Sequence, residues 1–208
     1  MQVSKSLLVL CIFGLLALPL MGVASAQNLL PNGDFETGDL TGWETFSEGP
    51  NATITVVTPG NGPSFGGVHH AFLNNQQEAL NLGFKASTPV GSAGPGTVYY
   101  FMDLLLEEVG VGGVAFVEIF AEEGPDGGVI GTSGLIAIGG PVGEWQIVQG
   151  NFEAPAGTSF LTFQFVAATG AVSGSTCLAR VDNFYLGQAG PPVATEDMSM
   201  GSIKALFR

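Results

Sequence analysis

Side chains alternate in character along most of this sequence. Val98, Tyr100, Met102, Leu104 and Leu106 share one parity, and Tyr99, Phe101, Asp103 and Leu105 share the other. Val114, Phe116, Glu118 and Phe120 alternate with Ala115, Val117, Ile119 and Ala121, and Leu161, Phe163 and Phe165 oppose Phe160, Thr162 and Gln164. A period of two sends successive side chains to opposite faces of a strand, so each such segment has a face to bury against a second sheet. Thr53–Thr58 is β-branched throughout, Leu80, Leu82 and Phe84 alternate, and residues 178–186 form the last strand candidate. Gly110, Gly112 and Gly113 punctuate one pair of strands, and Gly124-Pro125-Asp126-Gly127-Gly128 marks a turn between another. About ten strand candidates, with no amphipathic helix between Asn28 and Gln188, predict an all-β sandwich or barrel.

The first segment reads as an address. Lys5 supplies a positive start, Leu7 to Leu20 an apolar stretch, and Ala24-Ser25-Ala26 a small-residue cleavage site, so residues 1–26 are expected to be a secretory signal peptide. Pro19 and Gly22 argue against a membrane anchor, and no membrane contact is expected of the mature form. Secretion follows, to the extracellular space or to the periplasm or cell surface of a bacterium. Cys11 leaves with the signal, and Cys177 alone has no intramolecular disulfide partner. Residues 27–188 then form a domain, and 189–208 a linker and tail. The tail turns apolar and cationic at Ile203-Lys204-Ala205-Leu206-Phe207-Arg208, with Ser199 or Ser202 as a helix cap, and reads either as a frayed terminus or as a sorting or docking tag.

Charge narrows the partners. Eighteen acids against five cations leave a net charge of −13, and loss of Lys5 makes the mature chain more negative still. A chain so short of cations cannot neutralise phosphates, which excludes nucleic acid, and an anionic membrane repels it. Its apolar content excludes general disorder, and its glycines lack the collagen period.

Asn28-Leu29-Leu30-Pro31-Asn32-Gly33-Asp34-Phe35-Glu36-Thr37-Gly38-Asp39-Leu40-Thr41-Gly42-Trp43 resembles the opening of carbohydrate-binding modules of the cellulose- and xylan-binding type, the CenC-like, galactose-binding-domain-like superfamily. Val181-Asp182-Asn183-Phe184-Tyr185-Leu186 is similar to their last strand, and Gly143-Glu144-Trp145-Gln146-Ile147-Val148 with Phe152-Glu153-Ala154-Pro155-Ala156-Gly157 to their late Trp strand and turn. The resemblance implies a jelly-roll β-sandwich of two antiparallel sheets whose first and last strands meet. It also implies a structural Ca²⁺ on Glu36 and Asp182, with backbone oxygens near Asp34 and Gly38, as suits a hard ion that takes oxygen ligands. The plainer alternative has Glu36 capping its loop and Asp182 satisfying a turn.

Glycan binding is the function the resemblance implies; a structural or adhesive sandwich without a sugar face is the alternative. Sugar rings have apolar faces and polar rims, so aromatics beside amides are the candidate ligands. Tyr99 and Phe101 fit if they point outward and Tyr100 and Met102 inward; both parities are too apolar for the sequence to decide. Asn74, Asn75, Gln76 and Gln77 form the best polar cluster, with a solvated turn as the alternative. Trp43 and Trp145 are both expected in the core. His69 and His70, adjacent on a strand, cannot chelate together; one is expected at the core edge and the other exposed. An N-glycosylation sequon stands at Asn51-Ala52-Thr53.

No catalytic arrangement stands out, and a non-enzyme is expected. Gly62-Pro63-Ser64-Phe65-Gly66 has the spacing of a nucleophile elbow without the strand and helix that make one. Glu107-Glu108 and Glu122-Glu123 are adjacent pairs that point apart, whereas glycoside hydrolysis needs convergence. Nothing marks a partner for Glu118 or Asp103.

Overall fold

The computed structural model describes residues 27–58, 67–124 and 127–189. The signal segment, Ser64 with its flanking glycines on 59–66, and the tail lie outside the described residues. Within them run eleven strands: β1 Glu44–Phe46, β2 Ala52–Val57, β3 His70–Asn75, β4 Asn81–Ser87, β5 Gly96–Val109, β6 Val114–Glu122, β7 Val129–Thr132, β8 Ile136–Ile138, β9 Trp145–Ala154, β10 Phe160–Ala168 and β11 Cys177–Gly187. They form a six-stranded sheet in the order β1-β4-β10-β6-β7, with β8 also on β6, and a five-stranded sheet in the order β2-β3-β11-β5-β9. Every strand pairing is antiparallel. This is the all-β sandwich that the alternation predicts.

The alternation resolves into faces. Tyr100, Met102, Leu104 and Leu106 of β5 enter the core with Ala115, Val117, Ile119 and Ala121 of β6 and Leu161, Phe163 and Phe165 of β10. Tyr99 and Phe101 therefore face outward. Each large side chain buried this way stabilises the fold by roughly 1.5–3 kcal/mol. At one end the core is aromatic. Phe35, Trp43, Phe84, Phe163 and Phe184 surround one another, with Trp43–Phe84 centroids 4.8 Å apart and Phe163–Phe184 centroids 5.1 Å apart, both edge to face.

The chain ends meet as expected. The Leu29 N–H donates to the Leu186 carbonyl at 2.9 Å, and the Phe184 N–H to the Gly33 carbonyl at 2.8 Å. The Asn28 side chain seals the seam, donating to the Phe184 carbonyl at 2.7 Å and accepting from the Leu186 N–H at 3.1 Å.

Trp43 is buried in the core as expected. Trp145 is not. It opposes Leu105 on the outward parity of β5 and is half-buried there. The sequence expectation failed because β9 alternates weakly: its inward residues are Gln146, Val148, Gly150 and Phe152, so size alone pointed the wrong way. Cys177 is fully buried, and burial pushes its thiol up to about 11.

Candidate functional site

The outward face of the five-stranded sheet gathers most of the chemistry-bearing side chains. Across β5 and β9, Tyr99 opposes Asn151, Phe101 opposes Gln149, Asp103 opposes Ile147 and Leu105 opposes Trp145. Residues directly opposite in an antiparallel pair share a face and touch, so each of the two aromatics has an amide beside it. A cleft of about 260 Å³ opens at this place, lined by Tyr99, Tyr100, Gln149, Gly150 and Asn151. Gly150 is required by its neighbour: a Cβ there would collide with the Tyr100 hydroxyl. Burial raises the Tyr100 phenol above its ordinary value, which keeps it a neutral donor.

Further along the same face, Phe72 opposes Arg180, and Arg180 opposes Leu105. The guanidinium donates through Nε to Glu107 Oε1, lies 4.6 Å over the Phe72 ring and sits 2.9 Å through Nη1 from His70 Nε2. Arginine only donates, so His70 Nε2 is the acceptor and that nitrogen carries no proton. His70 packs edge-on against Trp145 with centroids 5.9 Å apart. Of the adjacent histidines, His70 is 2 % exposed and His69 half-buried, so neither is fully exposed.

β11 reaches this face through a bulge. Asp182 opposes Asp103 and Tyr185 opposes Phe101, so three steps on β11 match two on β5. Asn183, with φ 52°, occupies the irregular position. Its N–H donates to Asp182 Oδ1 at 2.8 Å and its amide to Asp103 Oδ2 at 2.5 Å. Asp103 and Asp182 are 1 % and 0 % exposed, which shuts this carboxylate pair off from a bound substrate.

The sequence-predicted binding residues separate. Tyr99 and Phe101 are half-buried on the outward face beside the cleft. Asn74 opposes Leu178, which opposes Glu108, nine positions along β5 from Tyr99. At a strand rise of about 3.3 Å per residue the two places lie about 30 Å apart. Asn75 is 0 % exposed. Its amide donates to the Leu80 carbonyl at 3.1 Å and the Ala167 carbonyl at 2.8 Å, and its Oδ1 accepts from the Gln77 N–H at 3.2 Å. Asn75 is thus a structural tie between the sheets, and it faces no ligand. Gln76 is exposed and donates to Asn74 Oδ1 at 2.8 Å, while Gln77 is half-buried. What sequence reasoning missed is β9: Gln149 and Asn151 stand at alternate positions with Trp145 and Ile147, a period-two pattern visible in the sequence.

Glu36 and Asp182 approach the same end of this sheet. Glu36 Oε1 accepts from the Val68 N–H at 2.9 Å and the His69 N–H at 3.0 Å, and Oε2 lies 3.9 Å from His69 Nδ1. That segment leads into β3, whose Ala71 opposes Val181, one residue before Asp182. Asp34 Oδ1 accepts from the Glu36 N–H at 3.3 Å, and Gly38 turns the loop at φ 79°. As arranged, Glu36 grips N–H donors. Among the described residues no three His, Cys, Asp or Glu side chains are grouped to hold a metal. A Ca²⁺ ion here requires Glu36 to exchange those N–H groups for the ion.

The acidic pairs do not converge. Glu107 binds Arg180, Glu108 accepts from Thr176 Oγ1 at 2.7 Å, and Glu122 from Thr162 Oγ1 at 2.5 Å. Glu118 opposes Gln164 on the outward parity of the other sheet, across the sandwich from Asp103. Among the described residues no helix is long and apolar enough to cross a membrane.

No protein-family model and no curated protein matches this chain. Solved structures share its fold. The enzymatically active domain of Bacteriophage CBA120 tailspike protein 4 superposes with a TM-score of 0.59 at 12% identity, over 77% of this chain and 21% of that one. The chain thus spans about a fifth of the tailspike domain. A family 16 carbohydrate-binding module gives 0.52 at 14% identity, over 77% of this chain and 100% of the module. The CBM22-1 xylan-binding domain from Paenibacillus barcinonensis gives 0.51 at 15% identity, over 79% and 96%. Likenesses at such identity establish the jelly-roll fold, and two of these neighbours are modules that the fold fills nearly end to end.

Proposed function

We propose that this chain is an exported, non-catalytic glycan-binding module that takes its ligand on the outward face of the five-stranded sheet. The observation that carries the reading is the pairing of Tyr99 with Asn151 and of Phe101 with Gln149 beside a cleft. The aromatic rings offer flat apolar surface to the faces of a sugar, and amides both donate to and accept from its hydroxyls. The names of the family 16 and xylan-binding neighbours support the same reading. A pull-down on a panel of polysaccharides tests it. Binding that Tyr99→Ala removes at unchanged melting temperature supports the site. No binding to any polysaccharide favours a structural or adhesive domain.

A structural Ca²⁺ belongs to this proposal as a tie between the N-terminal loop and β11. Glu36 and Asp182 would hold it through carboxylate oxygens, with backbone oxygens near Asp34 and Gly38 in support. Export rests on residues 1–26 and is tested by the N-terminus of the secreted product.

A further inference from the structure

We infer that the glycan this face accepts is an uncharged chain of several sugar residues, read at its hydroxyls by Gln149 and Asn151. The inference rests on the glycan-binding reading above and narrows it.

The lining of the cleft, Tyr99, Tyr100, Gln149, Gly150 and Asn151, carries no charge. A uronate or sulfate needs a cation or a set of N–H donors to replace its water. The described residues contain two cations, Lys85 and Arg180. Lys85 lies on the other sheet, 3.4 Å from Glu44. Arg180 is 7 % exposed and committed to Glu107, His70 and Phe72. Neither is available to an anionic sugar at Tyr99. Charge near the cleft is negative: Glu153, two positions beyond Asn151 on the same parity, is exposed and accepts from Thr97 Oγ1 at 2.6 Å. With a chain net charge of −13, an anionic glycan is repelled at long range and finds no counter-charge on contact.

Length follows from the strip itself. From Tyr99 to Leu105, the partner of Trp145, β5 runs six positions, about 20 Å at the usual rise. Ile147, 50 % exposed, continues the apolar surface between Gln149 and Trp145. A single sugar would cover one end of this strip, whereas a chain lying along β5 and β9 covers it all.

Isothermal titration of the processed chain tests the inference. The probes are neutral xylan and galactan oligosaccharides of increasing length, with oligogalacturonate and chondroitin sulfate fragments as the anionic arm. Affinity is expected to rise with length for a neutral series and to fall at least tenfold for the anionic arm. Gln149→Ala and Asn151→Ala are each expected to weaken the neutral ligand about three- to tenfold at unchanged melting temperature. Anionic fragments binding as tightly as neutral ones overturn the charge class and leave glycan binding standing. A monosaccharide binding as tightly as a tetrasaccharide overturns the chain-like ligand. Unchanged affinity in both amide variants overturns their role. No binding to either arm defeats the glycan reading itself.

Discussion

Asp182 and Tyr185 face the same side of the five-stranded sheet although an odd number of residues separates them on β11. The bulge at Asn183 makes this so: it shifts the parity, sending Phe184 into the aromatic core while Tyr185 returns to the outward face beside Phe101. One irregular residue thereby serves both the core and the candidate binding surface.

Gly150→Ala is expected to cost about 1–3 kcal/mol, because its Cβ meets the Tyr100 hydroxyl in a packed interior. Urea denaturation measures the cost. Tyr100→Phe in the same chain removes the clashing oxygen and is expected to recover part of the loss. Equal stability of Gly150→Ala and the parent would show that β9 is not held against Tyr100.

Asn75→Ala is expected to destabilise by about 2 kcal/mol, since the Leu80 and Ala167 carbonyls lose their shared donor in the interior. Gln76→Ala, at an exposed position, is expected to fall within about 0.5 kcal/mol of the parent. Thermal melts of the two variants separate a structural amide from a solvated one. If Gln76→Ala also removed glycan binding, the ligand would lie at the far end of the sheet from Tyr99.

Cys177 is expected to resist thiol reagents in the folded chain. It is 0 % exposed and its thiol is pushed up to about 11, so thiolate is scarce at neutral pH. Labelling with iodoacetamide should track unfolding in denaturant. Fast labelling of native protein at pH 8 would contradict the burial.

Excess Ca²⁺ is expected to raise the melting temperature, and EDTA to reverse the rise. At a ligand concentration 100 times its dissociation constant, binding stabilises by about 2.7 kcal/mol. Glu36→Gln should abolish the response by removing a charged ligand. A melting temperature indifferent to Ca²⁺ would leave Glu36 as a clip for the Val68 and His69 N–H groups.

The sandwich was legible because β5, β6 and β10 alternate strongly and their turns are rich in glycine. The meeting of the chain ends was legible in the two terminal motifs. The faces of β5 were not, because Tyr99 and Phe101 are as apolar as Tyr100 and Met102; only the partner strands assign them. Asn75 misled because a polar residue beside a turn reads as solvated, and its burial depends on carbonyls from β10 and the β4 approach. The bulge at Asn183 was invisible to any period-two reading, which places Asp182 and Phe184 on one face.

The hydrogen bonds between Leu29 and Leu186 and between Gly33 and Phe184 join segments about 150 residues apart in sequence. A ribosome delivers the N-terminal partner first and the C-terminal one last, so the sandwich cannot close until nearly the whole domain has been made. For a chain bound for export, that delay keeps the polypeptide threadable until β11 has been delivered.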